Sequence, residues 1–170
     1  MALITLGANS GKGKVLQVVS ATKSDTQSTS TATFVDVSGL SLSITPSSTS
    51  SKIFLMCNIN ISSSEKYMAF KFVRGSTDIG ICTDTFGNIS MVTASSMRND
   101  SNTGDNKIMH NSSASFLDTP NTNSATTYKI QAGLTYGNAQ TLQINRTHSD
   151  DNFSYSHRGI STLTAYEIAG

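Results

Sequence analysis

The stretch that decides the fold is KIFLMCNINI, residues 52–61, where apolar side chains recur at every second position. Successive side chains of a β-strand point to opposite faces, so this period predicts a strand with one fully apolar face. The first half of the stretch is apolar on both faces, which favours a central place in a sheet. The expected inward face carries Ile53, Leu55, Cys57, Ile59 and Ile61, and the opposite face carries Phe54, Met56, Asn58 and Asn60.

Similar alternation appears on both sides of this stretch, interrupted by short segments rich in Ser, Gly, Asn, Asp and Pro. Such segments favour turns, and no part of the chain shows a convincing helical period. The pattern predicts an all-β protein, an antiparallel β-sandwich of jelly-roll type, with a single domain at 15–170 and a short N-terminal docking arm at 1–14. The other expected strands are 15–19, 33–37, 40–45, 67–73, 78–83, one within 85–94, 113–117, 127–134, 141–147 and 159–168.

The composition excludes several classes of protein. Among 170 residues there are 28 serines, 22 threonines and 13 asparagines but only two glutamates, a balance that favours strands and turns over helices. The net charge of +1 is too small to create the basic field that nucleic-acid binding needs. The longest apolar run, residues 53–57, is far too short to span a membrane. We therefore expect neither a nucleic-acid nor a membrane partner.

Nothing in the sequence predicts an enzyme. Glu65 and Glu167 fall in a turn and near a strand end, and Asp150–Asp151 are neighbours whose side chains should diverge, so no carboxylate pair for acid–base catalysis is evident. His148 and His157 flank the same acidic stretch, but a metal site needs three or four converging ligands, so no metal is predicted. We expect no catalytic residue, no metal and no cofactor.

The chain contains two cysteines, Cys57 and Cys82. Cys57 lies within the apolar strand and is predicted to be a buried thiol. A disulfide between the two is disfavoured if the protein is made in a reducing cytosol, because disulfides are rare there, but the sequence leaves the pairing open.

Two polar loops carry exposed-looking aromatic residues beside amide and carboxylate groups, the combination that binds sugars. One is the turn at 136–138 and the other is HSDDNFSYSH, residues 148–157. A structural role, in which these rings pack the loop tips onto the sandwich, is the alternative interpretation. The candidate glycan contacts are Tyr136, Asn138, Asp150, Asp151, Phe153 and Tyr155.

The first 14 residues combine a compact apolar group with a Gly-rich stretch and two lysines. A solvated tail rarely keeps such a group, so we expect the arm to dock onto a neighbouring subunit or another protein, although termini are often disordered. The predicted docking residues are Leu3, Ile4, Leu6, Lys12 and Lys14.

Five segments in this order suggest a family: GKVLQVVSATKSDTQSTS at 13–30, FVDVSGLSLSITPSSTSSKIFL at 34–55, FVRGSTDIG at 72–80, SFLDTPNTNSATTYKIQ at 115–131 and RGISTLTAYEIAG at 158–170. Together they resemble small virion proteins and fibre end-domains of tailed phages, especially marine and cyanobacterial ones. The resemblance covers about residues 13 to 170. It implies a β-sandwich, usually homotrimeric, carried on the surface of the virion after synthesis in the host cytoplasm.

Fibre proteins of this kind usually carry the domain at the end of a long shaft, whereas here only residues 1–14 precede it. That departure favours a non-enzymatic virion structural protein: a capsid decoration or cement protein, or a small fibre or collar component. Its expected partners are its own copies, as a homotrimer, and other virion proteins of the capsid or tail. The alternative is a receptor-binding tail-fibre tip that recognises host surface glycan, which the long polar loops favour. The iron-binding H-x-H triplets of some phage fibres are absent from this sequence, so that feature is not carried over.

Overall fold

The structure is a computed structural model that describes residues 13–30, 33–63, 67–84, 87–97, 108–135 and 141–170. In these ranges the chain forms strands joined by turns and irregular segments. The strands are β1 (Val15–Lys23), β2 (Gln27–Thr29), β3 (Val35–Ile44), β4 (Lys52–Ser63), β5 (Tyr67–Arg74), β6 (Thr77–Ile79), β7 (Ala94–Met97), β8 (His110–Asp118), β9 (Thr126–Leu134), β10 (Leu142–Ile144) and β11 (Ser161–Ile168).

The strands form two sheets in which all pairings are antiparallel. Sheet A has the order β1-β11-β4-β10-β2, with β8 paired to the other side of β4. Sheet B has the order β3-β9-β5-β6, with β7 also paired to β5. The two inner faces pack against each other, which confirms the predicted all-β sandwich.

Strand β4 occupies the centre of sheet A, as the sequence predicts. Its residues 52–58 pair with β11, its residues 61–63 pair with β10, and β8 lies along its other side. The inward face of β4 is almost completely buried among side chains from β3, β5, β9, β10 and β11. Phe70 and Phe72 add an edge-to-face ring pair, with centroids 6.3 Å apart, within this core.

Several strands differ from the prediction. The expected break at Ser38–Gly39 is instead an irregularity within one continuous β3, whose pairing with β9 shifts between Asp36 and Ser41. Gly39 adopts a φ of 82°, which L side chains avoid, so the residue that suggested a turn accommodates this irregularity. Strand β2 lies in a stretch expected to be irregular, β7 begins where the strand within 85–94 was expected to end, and β8 begins at His110 rather than 113.

A buried carboxylate fastens the turn between β3 and β4 to the end of β11. Glu167 is 1% exposed, and its Oε1 accepts hydrogen bonds from the Ser47 backbone N–H (2.7 Å), the Ser47 hydroxyl (2.6 Å) and the Ser51 hydroxyl (2.7 Å). Gln17 Nε2 donates to Oε2 (2.6 Å). Burial alone would raise the pKa of Glu167, but these donors outweigh it and lower the pKa to about 2.

A second buried carboxylate joins the two sheets. Asp118, expected in a turn, is instead the last residue of β8, and its side chain is 7% exposed. The buried Tyr128 hydroxyl donates to Asp118 Oδ2 (2.6 Å), and Arg74 Nη1 lies 2.8 Å from both carboxylate oxygens. Burial raises the pKa of Tyr128 above its ordinary value, and the Asp118 carboxylate raises it further. Burial and the neighbouring carboxylate therefore keep Tyr128 a neutral phenol.

Both cysteines are free thiols, with Cys57 buried, as predicted, and Cys82 exposed. Burial raises the pKa of Cys57 to about 12, so this thiol stays protonated and unreactive at neutral pH. In the part of the chain that the structure describes, no helix is long and apolar enough to cross a membrane.

Candidate functional site

The loop between β10 and β11, residues 145–160, is held at its base by one asparagine. Asn145 is fully buried and has a φ of 62°, a conformation that Asn tolerates better than most residues. Its Nδ2 donates to the carbonyls of Lys23 (2.8 Å) and Asp25 (3.0 Å), and Ser161 donates to its Oδ1 (2.6 Å). Its N–H donates to the Asn60 carbonyl (2.9 Å), so the loop leaves the sandwich from a fixed point.

The two legs of this loop are joined by backbone pairing and by charge. Arg146 and Arg158 form an isolated antiparallel bridge. Asp150 lies between their side chains, accepting hydrogen bonds from Arg146 Nη1 (3.0 Å) and from Arg158 Nη2. The pKa of Asp150 lies below its ordinary value, chiefly because of the hydrogen bond from Arg158. This ion-paired cluster fixes the distal part of the loop.

Beyond the cluster, the loop tip combines an aromatic platform with a polar cavity. Phe153 and Tyr155 stack with centroids 5.1 Å apart and an interplanar angle of 22°, and Phe153 is 62% exposed. An open cavity of about 370 Å³ lies beside Phe153. Its lining is Asp150, Asp151, Asn152, Phe153, Ser156 and Arg158.

The chemistry of this cavity suits a neutral, hydroxyl-rich ligand. The two loop arginines and two aspartates balance in charge, so the field favours neither an anion nor a cation. Carboxylate, amide and guanidinium groups can bond hydroxyls, and an exposed ring offers an apolar face to a sugar. One atom of the lining, Ser156 Oγ, is buried without a hydrogen-bond partner among the described residues.

Four of the six candidate glycan contacts lie in this loop. The structure brings Asp150, Asp151 and Phe153 to one cavity, and Tyr155 supports the Phe153 ring. The side chains of Asp150 and Asp151 were expected to point apart, and both nevertheless line the cavity. Tyr136 and Asn138 lie outside the described residues, as do the docking residues Leu3, Ile4, Leu6 and Lys12.

Lys14 is the one predicted docking residue that the structure describes. It is exposed, and its carbonyl accepts a hydrogen bond from the Ala169 N–H (2.8 Å), while the Gly13 N–H donates to the Ala169 carbonyl (2.9 Å). The backbone at 13–14 therefore continues the pairing of β1 with β11. The cavity residues that sequence reasoning missed are Asn152, Ser156 and Arg158; the signal for Arg158 was a basic residue directly after an acidic loop.

A second candidate surface is the outward face of sheet A, opposite the core. The strand registers align its side chains in rows that cross β1, β11, β4 and β8. The first row is apolar throughout, and its central rings, Phe54 and Tyr166, lie 6.2 Å apart. We call it the apolar row; it consists of Val18, Tyr166, Phe54 and Leu117.

The apolar row reaches both margins of the sheet, and no described residue buries its two ends. Val18 is 53% exposed at one margin, Leu117 is 47% exposed at the other, and Met56 in the next row is 46% exposed. Val15 and Leu16 extend the exposed apolar surface at the start of β1. Contiguous apolar surface of this kind marks a protein–protein contact more often than open solvent.

No group of three or more His, Cys, Asp or Glu side chains converges on a common point within the described ranges, so His148 and His157 do not complete a metal-binding set there.

Comparison with known proteins gives a weak structural likeness. No protein-family model matches the chain, and no curated protein matches it. Among solved structures, a chain from the structure of infectious bursal disease virus, Gx strain, is similar over 91% of this chain with 15% sequence identity and a TM-score of 0.37. This chain spans 38% of the length of that viral chain. A likeness of this strength carries no argument about function.

Proposed function

We propose that this chain is a non-enzymatic structural protein of the virion surface, a decoration or small fibre or collar component, that assembles as a homotrimer and binds other virion proteins. The observation that carries the proposal is the apolar row, because a single copy leaves its aliphatic ends exposed and its rings partly exposed across four strands of sheet A. Contact with further protein would remove this surface from water.

Two other observations support a structural role. The ordered sequence segments resemble small virion proteins and fibre end-domains of tailed phages. The net charge of +1 lets many like copies lie side by side without long-range repulsion. Attachment to the particle is assigned to the N-terminal arm, where burial of Leu3, Ile4 and Leu6 would contribute roughly 1.5 to 3 kcal/mol each at most, offset in part by ordering the arm.

The proposal is tested by particle occupancy. We expect the chain to co-purify with gradient-isolated virions at constant stoichiometry, and a Leu3→Ser/Ile4→Ser/Leu6→Ser variant to fall at least tenfold in copy number. The variant should keep its strand-dominated circular dichroism, because the sandwich begins after the arm. A second variant, Lys12→Ser/Lys14→Ser, should lower occupancy at low salt but not at high salt, because exposed charges are screened there.

Absence of the full-length chain from virions would overturn the proposed function. Full occupancy by the triple-serine variant would instead transfer the attachment role from the arm to the sandwich surface.

A second candidate function is recognition of a host surface glycan, which the cavity at the loop tip favours. The Phe153–Tyr155 stack gives a flat apolar platform, and the ion-paired Asp150 fixes polar groups beside it. This function is compatible with a structural role, since both would act on the outer surface of the particle.

Phe153→Ala should abolish measurable retention on a glycan array, because the ring supplies the stacking face. Phe153→Tyr, which keeps the ring, should retain binding. Folding of both variants is checked by thermal denaturation, where a side chain this exposed should cost little stability. Equal array binding by the alanine variant and the unsubstituted protein would exclude the cavity as the glycan site.

A further inference from the structure

We propose that copies of this chain join edge to edge, with β1 of one copy pairing with β8 of the next, so that sheet A continues around a closed ring of three. The inference rests on the proposed self-assembly and specifies the surfaces that carry it. The occupant of each edge is a second copy of the same chain.

Sheet A has two open edges. Among the described residues, β1 pairs only with β11 and β8 pairs only with β4. An open edge presents unpaired N–H and C=O groups, which form a template for another strand. Natural proteins protect such edges with lysine, proline or bulges at accessible positions. Strand β8 contains neither lysine nor proline, and the only charged residue of β1 is the buried Lys23. The one irregularity of β1 lies between Val15 and Gln17, before the residues 18–23 that would pair with the next copy.

The two edges fit each other in length and direction. Both strands are nine residues long. Each step from β1 through β11 and β4 to β8 is antiparallel, so β8 runs opposite to β1. If neighbouring copies are related by rotation about an axis roughly along the strands, β8 of one copy lies antiparallel to β1 of the next. The alternation of directions in sheet A then continues across the boundary.

The rows of outward side chains also match across the proposed junction. Placing Leu117 of one copy opposite Val18 of the next continues the apolar row from copy to copy. The same register places Ser115 opposite Ser20 and Ser113 opposite Thr22, so no charged side chain enters these pairs. Opposed apolar and hydroxyl pairs stabilise antiparallel strands, whereas like charges would separate them.

Closure of the ring accounts for the outward apolar face. Head-to-tail contacts of this kind form a ring when the rotation between copies closes. Sheet B packs on the inner face of sheet A, so it would lie at the periphery of the ring, and the outward face would turn toward the axis. Phe54, Met56 and Tyr166, which are partly or largely exposed in one copy, would then be covered by their symmetry mates.

Cysteine cross-linking tests the pairing. In a Cys82→Ser background we introduce Val18→Cys and Leu117→Cys, which should form disulfides between copies under mild oxidation. Directly opposed strand residues have Cα atoms about 4.5–5.5 Å apart, within disulfide reach. Inside one copy the same two positions are three strands apart, about 14 Å, and cannot be bridged. We expect a covalent trimer on non-reducing gels that returns to 18.0 kDa on reduction.

The control is a double variant that combines Val18→Cys with Ser113→Cys. Ser113 is exposed on the same face of β8 but displaced by four residues, about 13 Å along the strand, so it should not cross-link. Equal cross-linking by both pairs would overturn the register. A ladder of multimers larger than trimers would overturn the closed ring.

Light scattering separates failure of this inference from failure of the proposed assembly. A trimer in solution without Val18–Leu117 cross-links would overturn edge pairing but leave self-assembly intact. A monomer at micromolar concentration would overturn both. Absence of the protein from virions, in contrast, would overturn the proposed function on the particle but would leave the edge pairing between copies intact.

A pair of substitutions that introduces opposite charges gives an independent test without oxidation. Leu117→Lys alone should weaken trimer formation at least tenfold, because it places a charge in the apolar row at the junction. Adding Val18→Glu should restore assembly, since each junction then contains one opposite-charge pair. If the double variant assembles no better than the single variant, these positions do not face each other.

Discussion

Asp118→Ala should lower the free energy of unfolding by about 3 kcal/mol, the low end of the range for breaking a buried ion pair. The substitution leaves the hydroxyl of the fully buried Tyr128 without its acceptor and Arg74 without its counter-charge. Arg74 is 31% exposed and can regain part of its hydration, which is why the upper end of the range is not expected. Urea denaturation at neutral pH measures the change.

The matched control is Asp78→Ala. Asp78 pairs with Lys71 at 2.6 Å, but it lies on the surface, where an ion pair contributes less than about 1 kcal/mol. Similar losses in the two variants would mean that the Arg74–Asp118–Tyr128 cluster does not depend on its burial. A loss below 1 kcal/mol for Asp118→Ala alone would show that the cluster adds little to stability.

Glu167→Gln should cost about 2 to 3 kcal/mol at neutral pH. Glu167 receives donors at both oxygens, so an amide in its place would turn one N–H group toward Gln17 Nε2 or the serine donors. Hydrogen bonds to a charged acceptor are worth more than neutral ones, and one donor would be left unsatisfied.

The pH dependence of stability distinguishes the charge of Glu167 from its shape. Its pKa of about 2 in the folded protein lies below the ordinary value of 4.5, so the folded state binds this proton less readily than the unfolded state. The resulting stability, about 3 kcal/mol, is fully present above about pH 4.5 and is lost as the pH falls toward 2.

Urea midpoints between pH 7 and pH 2 measure this loss. The Gln variant should lose markedly less stability than the unsubstituted protein across the same window, with Asp36→Asn as a control at an exposed, Lys129-paired carboxylate. Parallel pH curves for the unsubstituted protein and Glu167→Gln would contradict the assignment.

The class of the fold could be predicted because alternation at residues 52–61 reports directly on a two-faced strand. The same alternation could not place Asp118 correctly, since Asp before Thr-Pro-Asn is typical of a turn. Its burial depends on Arg74 and Tyr128, which lie on strands distant in sequence. Gly39 led to the opposite error, a turn predicted where the strand continues, because a glycine with positive φ occurs in strand irregularities as well as in turns.

The loop tip and the outward face were predictable to different extents. Composition alone indicated a polar loop with aromatic residues at 148–157, but the ion pairs that organise it need Arg146 and Arg158 from its two legs. The apolar row could not be read from the sequence, because its members lie on four strands and only their registers bring them into line. The sequence shows Phe54 and Met56 as apolar residues on the face of β4 opposite the core, but it does not show which residues of other strands lie beside them.

Asn145 has a consequence for how this protein can change over time. Its side chain and backbone fasten both feet of the 145–160 loop to Lys23, Asn60, Gly159 and Ser161, all outside the tip itself. Substitutions, insertions or deletions at the exposed tip, residues 151–155, should therefore disturb the scaffold little. A foreign segment grafted in place of the tip should therefore inherit a folded support.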